Sequence, residues 1–212
     1  MPKYLNKEKN LFQESLDSFI YVDKSPLIEI LNKCIKTKQK YFCLCRPRRF
    51  GKSVTAQMLC SYYSRGEDSS SQFDSLKIAK SPSYKKHLNQ YNVIFINMSL
   101  EFNSARYDVN QMISSITSSI VKELKEAYPQ VVFNSPDKLY EALDDVFSVS
   151  KVPFVFIVDE WDRIMREKKE DAQSLKLYLE WLEGIFKDQS YIALAYMTCE
   201  YEQNANMDSV VI

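Results

Sequence analysis

Two short groups of residues in this sequence have the side chains needed for chemistry on a bound phosphate. The first is Gly51-Lys52-Ser53, and the second is Asp159-Glu160, a carboxylate pair that follows an apolar run. A lysine and backbone amides bind phosphate oxygens, whereas a hydroxyl and a carboxylate are hard oxygen ligands for Mg²⁺. Together the two groups indicate a nucleotide site with a magnesium ion.

The first group completes a phosphate-binding loop, G-x-x-x-x-G-K-[ST], which residues 46–53 match at all but the first position. Gly51 lets the backbone approach a phosphate, Lys52 is predicted to contact the β- and γ-phosphates, and Ser53 to bind Mg²⁺. Arginine disfavours the positive φ that glycine accepts, so Arg46 is expected to change the start of the loop. The predicted nucleotide-binding residues are Arg46, Pro47, Arg48, Arg49, Phe50, Gly51, Lys52, Ser53 and Val54.

The second group follows residues 153–158, an apolar run of the kind that a central parallel strand requires. Asp159 at the end of such a strand is the predicted magnesium ligand. Glu160 is the predicted general base for an attacking water, which would make the site hydrolytic. One alternative is that the pair simply ends a strand in solvent. Another is a nuclease site of Asp159, Glu160 and Asp162, which nothing else in the sequence completes.

These motifs depend on strands that alternate with helices. Apolar runs predict strands at residues 41–45, 93–96, 153–158 and 191–197. Apolar residues at helical spacing predict helices after Lys52, Asp108 and Ser135, and over residues 175–186. The alternation predicts an α/β fold with a parallel β-sheet sandwiched by helices. The predicted organisation is a helical lead-in at 1–40, a nucleotide-binding core at 41–198 and a variant or disordered tail at 199–212.

The composition argues against two classes of partner. Lys+Arg and Asp+Glu both number 28, so the net charge is 0 and gives no general attraction to nucleic acid or to an anionic membrane. A local basic patch remains open. No segment approaches the roughly 18 consecutive apolar residues of a membrane helix. The N-terminus is polar and lacks an apolar signal core, so a cytoplasmic protein is expected.

The five cysteines show no metal-binding pattern in the sequence. Cys43 and Cys45 alternate on a predicted strand without a second Cys or His pair, so a zinc site is not expected. Four of the five lie in apolar patterns, which predicts buried cysteines with free thiols.

Three stretches of the sequence resemble the bacterial AAA-ATPase-like family. They are YVDKS at residues 21–25, RPRRFGKS at 46–53 and IVDEWD at 157–162, and the resemblance covers about residues 10–198. The family belongs to the additional-strand P-loop NTPases, and its arginine-rich loop accounts for the missing first glycine. The resemblance implies that ATP and Mg²⁺ bind, with Asp159 as the metal ligand and Glu160 as the catalytic base.

The resemblance also implies features beyond these motifs. The fourth strand would lie between the loop strand and the Asp159 strand, and Thr198 would be the polar sensor that touches the γ-phosphate. The family usually continues with Thr-Gly-Ile and often carries a restriction-endonuclease-like domain, whereas Cys199-Glu200 follows here. The chain therefore resembles a truncated member with an incomplete sheet, and DNA processing or defence are the roles that the family suggests.

Two kinds of function remain open at this point. The first is Mg²⁺-dependent ATP hydrolysis, in which Lys52, Glu160 and Thr198 are the catalytic residues. The second is a nucleotide-binding module that does not hydrolyse ATP, or an inactive truncated member that acts through protein or nucleic-acid contacts. A protein partner or a homo-oligomer is compatible with either, and the net charge does not support nucleic acid as a partner.

Overall fold

The computed structural model describes residues 2–6, 10–47, 49–135 and 137–200. Arg48 of the predicted loop and residues 201–212 of the predicted tail therefore lie outside the described residues. In the described part of the chain, four parallel strands form one sheet with helices packed on both faces. The predicted α/β class is confirmed.

All four predicted strands are present. They are β1 (Tyr41–Arg46), β2 (Asn92–Asn97), β3 (Phe154–Asp159) and β4 (Ile192–Glu200). The helices of the described residues are α1 (Asn10–Leu16), α2 (Pro26–Cys34), α3 (Lys52–Tyr63), α4 (Ser70–Phe73), α5 (Tyr84–His87), α6 (Met98–Ser104), α7 (Val109–Ala127), α8 (Leu139–Ser150), α9 (Arg163–Glu167) and α10 (Ala172–Phe186), with a 3₁₀ helix at Lys77–Lys80. Strand β4 continues three residues beyond the prediction, and the short helices α6 and α9 follow strand ends where none was predicted.

The strand order is β1-β4-β3-β2, and every neighbouring pair is parallel. Strand β4 therefore lies between the loop strand and the Asp159 strand, as the resemblance implied. Because parallel strands all end at the same edge, the register brings Asn97 of β2 beside Asp159 of β3. Among the described residues, no helix is both long and apolar enough to cross a membrane.

Strand β3 is the centre of the core, and all of its residues are buried. One face of the sheet packs against α7, α8 and α10, with Phe156 in that apolar cluster. The other face packs against α3 and the lead-in, where Ile157 joins Ile28 of α2 and Phe12 of α1. Strand β1 is bonded to β4 on one side, and alternate residues of β1 are exposed. The burial of β3 explains why its sequence is apolar at every position before Asp159.

Hydrogen bonds that the Asp23 carboxylate accepts hold the lead-in against the core. Its carboxylate accepts from the backbone N–H of Ser25 at 2.8 Å and of Lys77 at 2.9 Å. The Ser25 hydroxyl does not cap α2 but accepts from the N–H of Ile78 at 3.1 Å. Burial alone would raise the pKa of the Asp23 carboxyl, but the hydrogen bonds from Lys77 and Ser25 outweigh it and lower that pKa.

The substitution Asp23→Asn is expected to lower the free energy of unfolding by on the order of 1 kcal/mol at pH 7, because the amide lacks the charge that both N–H groups contact. Because the pKa of Asp23 is lower in the folded state, its ionised carboxylate stabilises the protein at pH values above its ordinary pKa of 3.8. This contribution is lost as the pH falls from 3.8 through the lowered pKa. Urea denaturation at pH 7 and at pH 3 measures both effects.

The control is Asp144→Asn, at an exposed position of α8, which should change the stability little at either pH. If the free energies of unfolding of the wild type and Asp23→Asn differ by the same amount at pH 3 as at pH 7, the effect does not come from the carboxylate charge.

Candidate functional site

Asp159 is the centre of a polar cluster at the carboxyl edge of the sheet. Its side chain is 1% exposed. One carboxylate oxygen, Oδ2, accepts from Ser53 Oγ at 2.8 Å and from Asn97 Nδ2 at 3.3 Å, and the other accepts from Thr198 Oγ1 at 2.6 Å. The donors come from α3, β2 and β4, so Asp159 is not a strand end exposed to solvent.

Ser53 and Asp159 provide a donor set that fits Mg²⁺. They place a hydroxyl and a carboxylate oxygen 2.8 Å apart, and Mg²⁺ prefers such hard oxygen ligands. Ser53 is exposed, which leaves the pair open to a ligand on one side. The hydrogen-bond partners of Asp159 in the described part of the chain are neutral groups, so its negative charge is not matched by a lysine or an arginine there.

Lys52 points back into its own loop. Its side chain is 8% exposed, and Nζ donates to the carbonyl oxygens of Arg46 at 2.7 Å and Pro47 at 3.0 Å. The ammonium of Lys52 therefore contacts backbone carbonyls that precede it in its own loop. Arg46 ends β1 without a positive φ, whereas Arg49, the other loop arginine among the described residues, has a φ of 67°.

Gly51 immediately precedes α3 with a φ of 70° and a ψ of 32°, in the left-handed region that favours glycine. A Cβ atom at this position would lie 2.5 Å from Nζ of Lys24. The Lys24 ammonium also donates to the carbonyl oxygen of Phe50 at 2.6 Å. The lead-in thus brings a second ammonium group to the loop. The sequence included Lys24 in the resemblance but gave it no role.

Glu160 adopts an uncommon backbone conformation with a φ of 56°. Its N–H donates to Thr198 Oγ1 at 2.9 Å, and its carboxylate accepts from the hydroxyl of Ser99 in α6. Thr198 therefore joins the two carboxylate residues, since the same hydroxyl donates to Asp159. Ser99 and Asn97 were not predicted, although Asn97 ends β2 and Ser99 follows it at the edge where β3 ends, and that position was the available signal.

Two further predicted residues, Phe50 and Val54, lie in the loop and in α3. Phe50 is 61% exposed at the loop, and Val54 is half-buried in the first turn of α3. Burial, and then the charge of Asp159, raise the pKa of the Tyr196 hydroxyl, so this neighbouring side chain remains neutral near pH 7.

Asp162 does not complete a nuclease trio with the carboxylate pair. Its Oδ2 atom accepts from Arg166 Nε at 2.7 Å and from the N–H of Glu200 at 3.2 Å. Arg166 also pairs with the Glu200 carboxylate at 2.8 Å. Asp162 precedes α9 but its side chain does not cap that helix. Its role in this structure is to tie the end of β4 to α9.

The prediction of buried free thiols is wrong for the three cysteines at the sheet edge, which are Cys43, Cys45 and Cys199. Cys43 and Cys45 are exposed. Cys45 also forms a disulfide with Cys199, its register partner in β4. Cys34 is a free thiol, and Cys60 is buried.

A protein-family model matches residues 10–199 of the chain. It is the model of the AAA-ATPase-like family, which is described as a predicted AAA-ATPase. No curated protein and no solved structure matches the chain. The matched range runs from the start of α1 into the end of β4, and it includes Lys24, the loop and the carboxylate cluster.

The substitution Thr198→Val is expected to lower the free energy of unfolding by about 1–3 kcal/mol, because it leaves Asp159 Oδ1 and the Glu160 N–H without the hydroxyl that contacts both. Valine has nearly the same shape as threonine, so packing is retained. Urea denaturation gives the measurement. Thr117→Val in α7, another buried threonine, is the matched control. If both variants lose the same free energy of unfolding, the contacts of Thr198 with Asp159 and Glu160 add nothing to the stability.

Proposed function

Since the chain belongs to the AAA-ATPase-like family, we propose that it binds ATP with Mg²⁺ at the phosphate loop and hydrolyses ATP to ADP and phosphate. The observation that carries this proposal is the 2.8 Å contact between the Ser53 hydroxyl and the Asp159 carboxylate, directly beside Glu160. Phosphoryl transfer to water requires a phosphate cradle, a magnesium site and a group that orients the water. The residues proposed for these three roles follow or end β1 and β3 at the same edge of the sheet, which supports the proposal.

Binding of the triphosphate is an exchange of hydrogen-bond partners. Lys52 gives up the carbonyls of Arg46 and Pro47 and donates to phosphate oxygens. Hydrogen bonds to a charged acceptor are stronger than those to a neutral carbonyl, so the exchange favours the bound state. The N-terminus of α3 adds N–H groups and the positive end of its dipole. Lys24, which contacts the loop at Phe50, contributes a second positive charge on the side of the lead-in.

Ser53 and Asp159 are the residues proposed to hold the magnesium ion. The ion would neutralise charge on the phosphates as the bond to the leaving group breaks. Asn97 and Thr198 contact the same carboxylate, and they restrict its orientation towards Ser53. Such outer contacts keep a ligand in the geometry that the metal requires.

Glu160 is proposed to accept a proton from the attacking water. The water oxygen forms a bond to the γ-phosphorus, the bond from that phosphorus to the β–γ bridging oxygen breaks, and ADP leaves. Thr198 holds the backbone N–H of Glu160, and the carboxylate of Glu160 contacts Ser99. The carboxylate must exchange Ser99 for the water before it can act.

The contact with Ser99 also favours a second candidate function, a nucleotide-binding module without turnover. If Glu160 stays with Ser99 after ATP binds, the chain holds nucleotide and releases no phosphate. The two functions share the loop and the magnesium pair, and they differ only in the partner of Glu160. Measured binding together with measured phosphate release separates them.

The substitution Lys52→Ala is expected to weaken ATP-Mg²⁺ binding by about 10- to 100-fold, because it removes a charged hydrogen-bond donor to the phosphates. Thermal stabilisation by ATP-Mg²⁺ measures the loss. Lys38→Ala, an exposed lysine of the lead-in, is the control and should bind as the wild type does. If ATP-Mg²⁺ stabilises Lys52→Ala as much as it stabilises the wild type, the nucleotide binds elsewhere on the chain.

The substitution Glu160→Gln is expected to retain ATP binding and to reduce phosphate release by about 10²- to 10⁴-fold, since glutamine cannot take the proton of the water. Phosphate release and thermal stabilisation are measured on the same samples. Glu167→Gln, in the neighbouring helix α9, is the control for loss of a nearby carboxylate. Release by Glu160→Gln at the wild-type rate would exclude Glu160 as the base, and no release by the wild type would favour the module without turnover.

A further inference from the structure

Three cysteines at the edge of the sheet form a compact sulfur cluster. Cys43 and Cys45 lie two residues apart in β1, so they point to the same face, and Cys199 of β4 is the register partner of Cys45. The Cys43 sulfur lies 3.5 Å from that of Cys199 and 3.9 Å from that of Cys45. We call these three residues the cysteine cluster.

The spacing of the cluster fits a metal bound by thiolates. A tetrahedral zinc ion with bonds of about 2.3 Å to sulfur holds its sulfur ligands about 3.8 Å apart. The two distances from Cys43, 3.5 and 3.9 Å, are close to this value. Cys45 and Cys199 are joined by a disulfide and must separate before both can bind a metal. A phosphine reductant supplies the two electrons, which with two protons from water give two thiols, and the phosphine becomes its oxide.

We propose that the reduced chain binds one thiophilic divalent cation, of the Zn²⁺ class, through Cys43, Cys45 and Cys199. Three protein ligands leave a fourth position for water, as in zinc sites that keep an open position. Cys43 and Cys45 are exposed, so the ion and the water reach the cluster from solvent. Soft thiolate ligands select such an ion over Mg²⁺, which prefers oxygen.

A neighbouring side chain already orients one of the ligands. The indole Nε1–H of Trp161 donates to the Cys43 sulfur at 3.2 Å. A hydrogen bond of this kind supports a thiolate and fixes its direction, as outer contacts do in other metal sites. Trp161 is held in turn by its backbone carbonyl, which accepts from the Tyr178 hydroxyl at 2.6 Å.

The cysteine cluster lies next to residues that contact the proposed phosphate site. Cys45 directly precedes Arg46, whose carbonyl accepts from Lys52, and Cys199 directly follows Thr198, which contacts Asp159. A metal bound to both strands would therefore cross-link the end of β1, which leads to the loop, with the end of β4, where Thr198 contacts Asp159. Binding of the ion itself needs none of these phosphate-site residues.

The test is a titration of the reduced chain with Co²⁺ under anaerobic conditions, without nucleotide, after the phosphine has been removed. We expect thiolate-to-cobalt charge-transfer absorption that saturates at one equivalent and is abolished by one equivalent of Zn²⁺. Cys43→Ser and Cys199→Ser should each weaken binding by at least about 10-fold. Cys34→Ser, a free cysteine outside the cluster, is the control and should bind as the wild type does.

Circular dichroism of each variant establishes that the fold is retained. The absence of a charge-transfer band would overturn the proposal, as would a band that survives in Cys199→Ser or a Cys45–Cys199 disulfide that resists reduction in the folded chain. Lys52→Ala should bind Co²⁺ as the wild type does, so a failure of the ATP site leaves this test intact.

Discussion

The structure depends on one constraint, the burial of the Asp159 carboxylate at the end of the central strand. An ionised group removed from water is stable only if hydrogen-bond donors replace the water. Here the donors are Ser53, Asn97 and Thr198, one each from α3, β2 and β4. The order β1-β4-β3-β2 is what brings them together, since β4 must lie beside β3 for Thr198 to reach the carboxylate. The arrangement of the sheet and the chemistry of the site are therefore set by the same side chain.

Much of this could be predicted from local sequence. The apolar run before Asp159 identifies the central strand, and Gly51-Lys52-Ser53 after another apolar run predicts a phosphate loop. Both signals are contained in fewer than about ten residues, which is why they can be read without knowledge of the tertiary structure. The position of β4 between β1 and β3 came from the family resemblance, since strand order depends on contacts between distant parts of the chain.

The parts that could not be predicted are contacts between distant residues. Nothing near Lys24 in sequence indicates that its ammonium reaches the carbonyl of Phe50, and nothing near Ser99 indicates a contact with Glu160. The cysteines show the same limit. Cys45 and Cys199 are separated by 154 residues, and only the parallel register of β1 and β4 makes them neighbours. A zinc pattern sought along the sequence misses a ligand set that the sheet assembles.

Strand β1 leads into the proposed phosphate loop. Within the described residues, β1 is hydrogen-bonded to one neighbouring strand, β4, whereas β3 is hydrogen-bonded to a strand on each side. Each backbone amide of β1 that faces away from β4 lacks a strand partner in this part of the chain, so fewer hydrogen bonds must break for β1 to open locally than for β3. Amide hydrogens at the approach to the loop should then exchange with solvent faster than those of the central strand. The buried carboxylate lies on the strand that has hydrogen-bonded neighbours on both sides, while the lysine that is proposed to change partners follows the strand that has one such neighbour among the described residues.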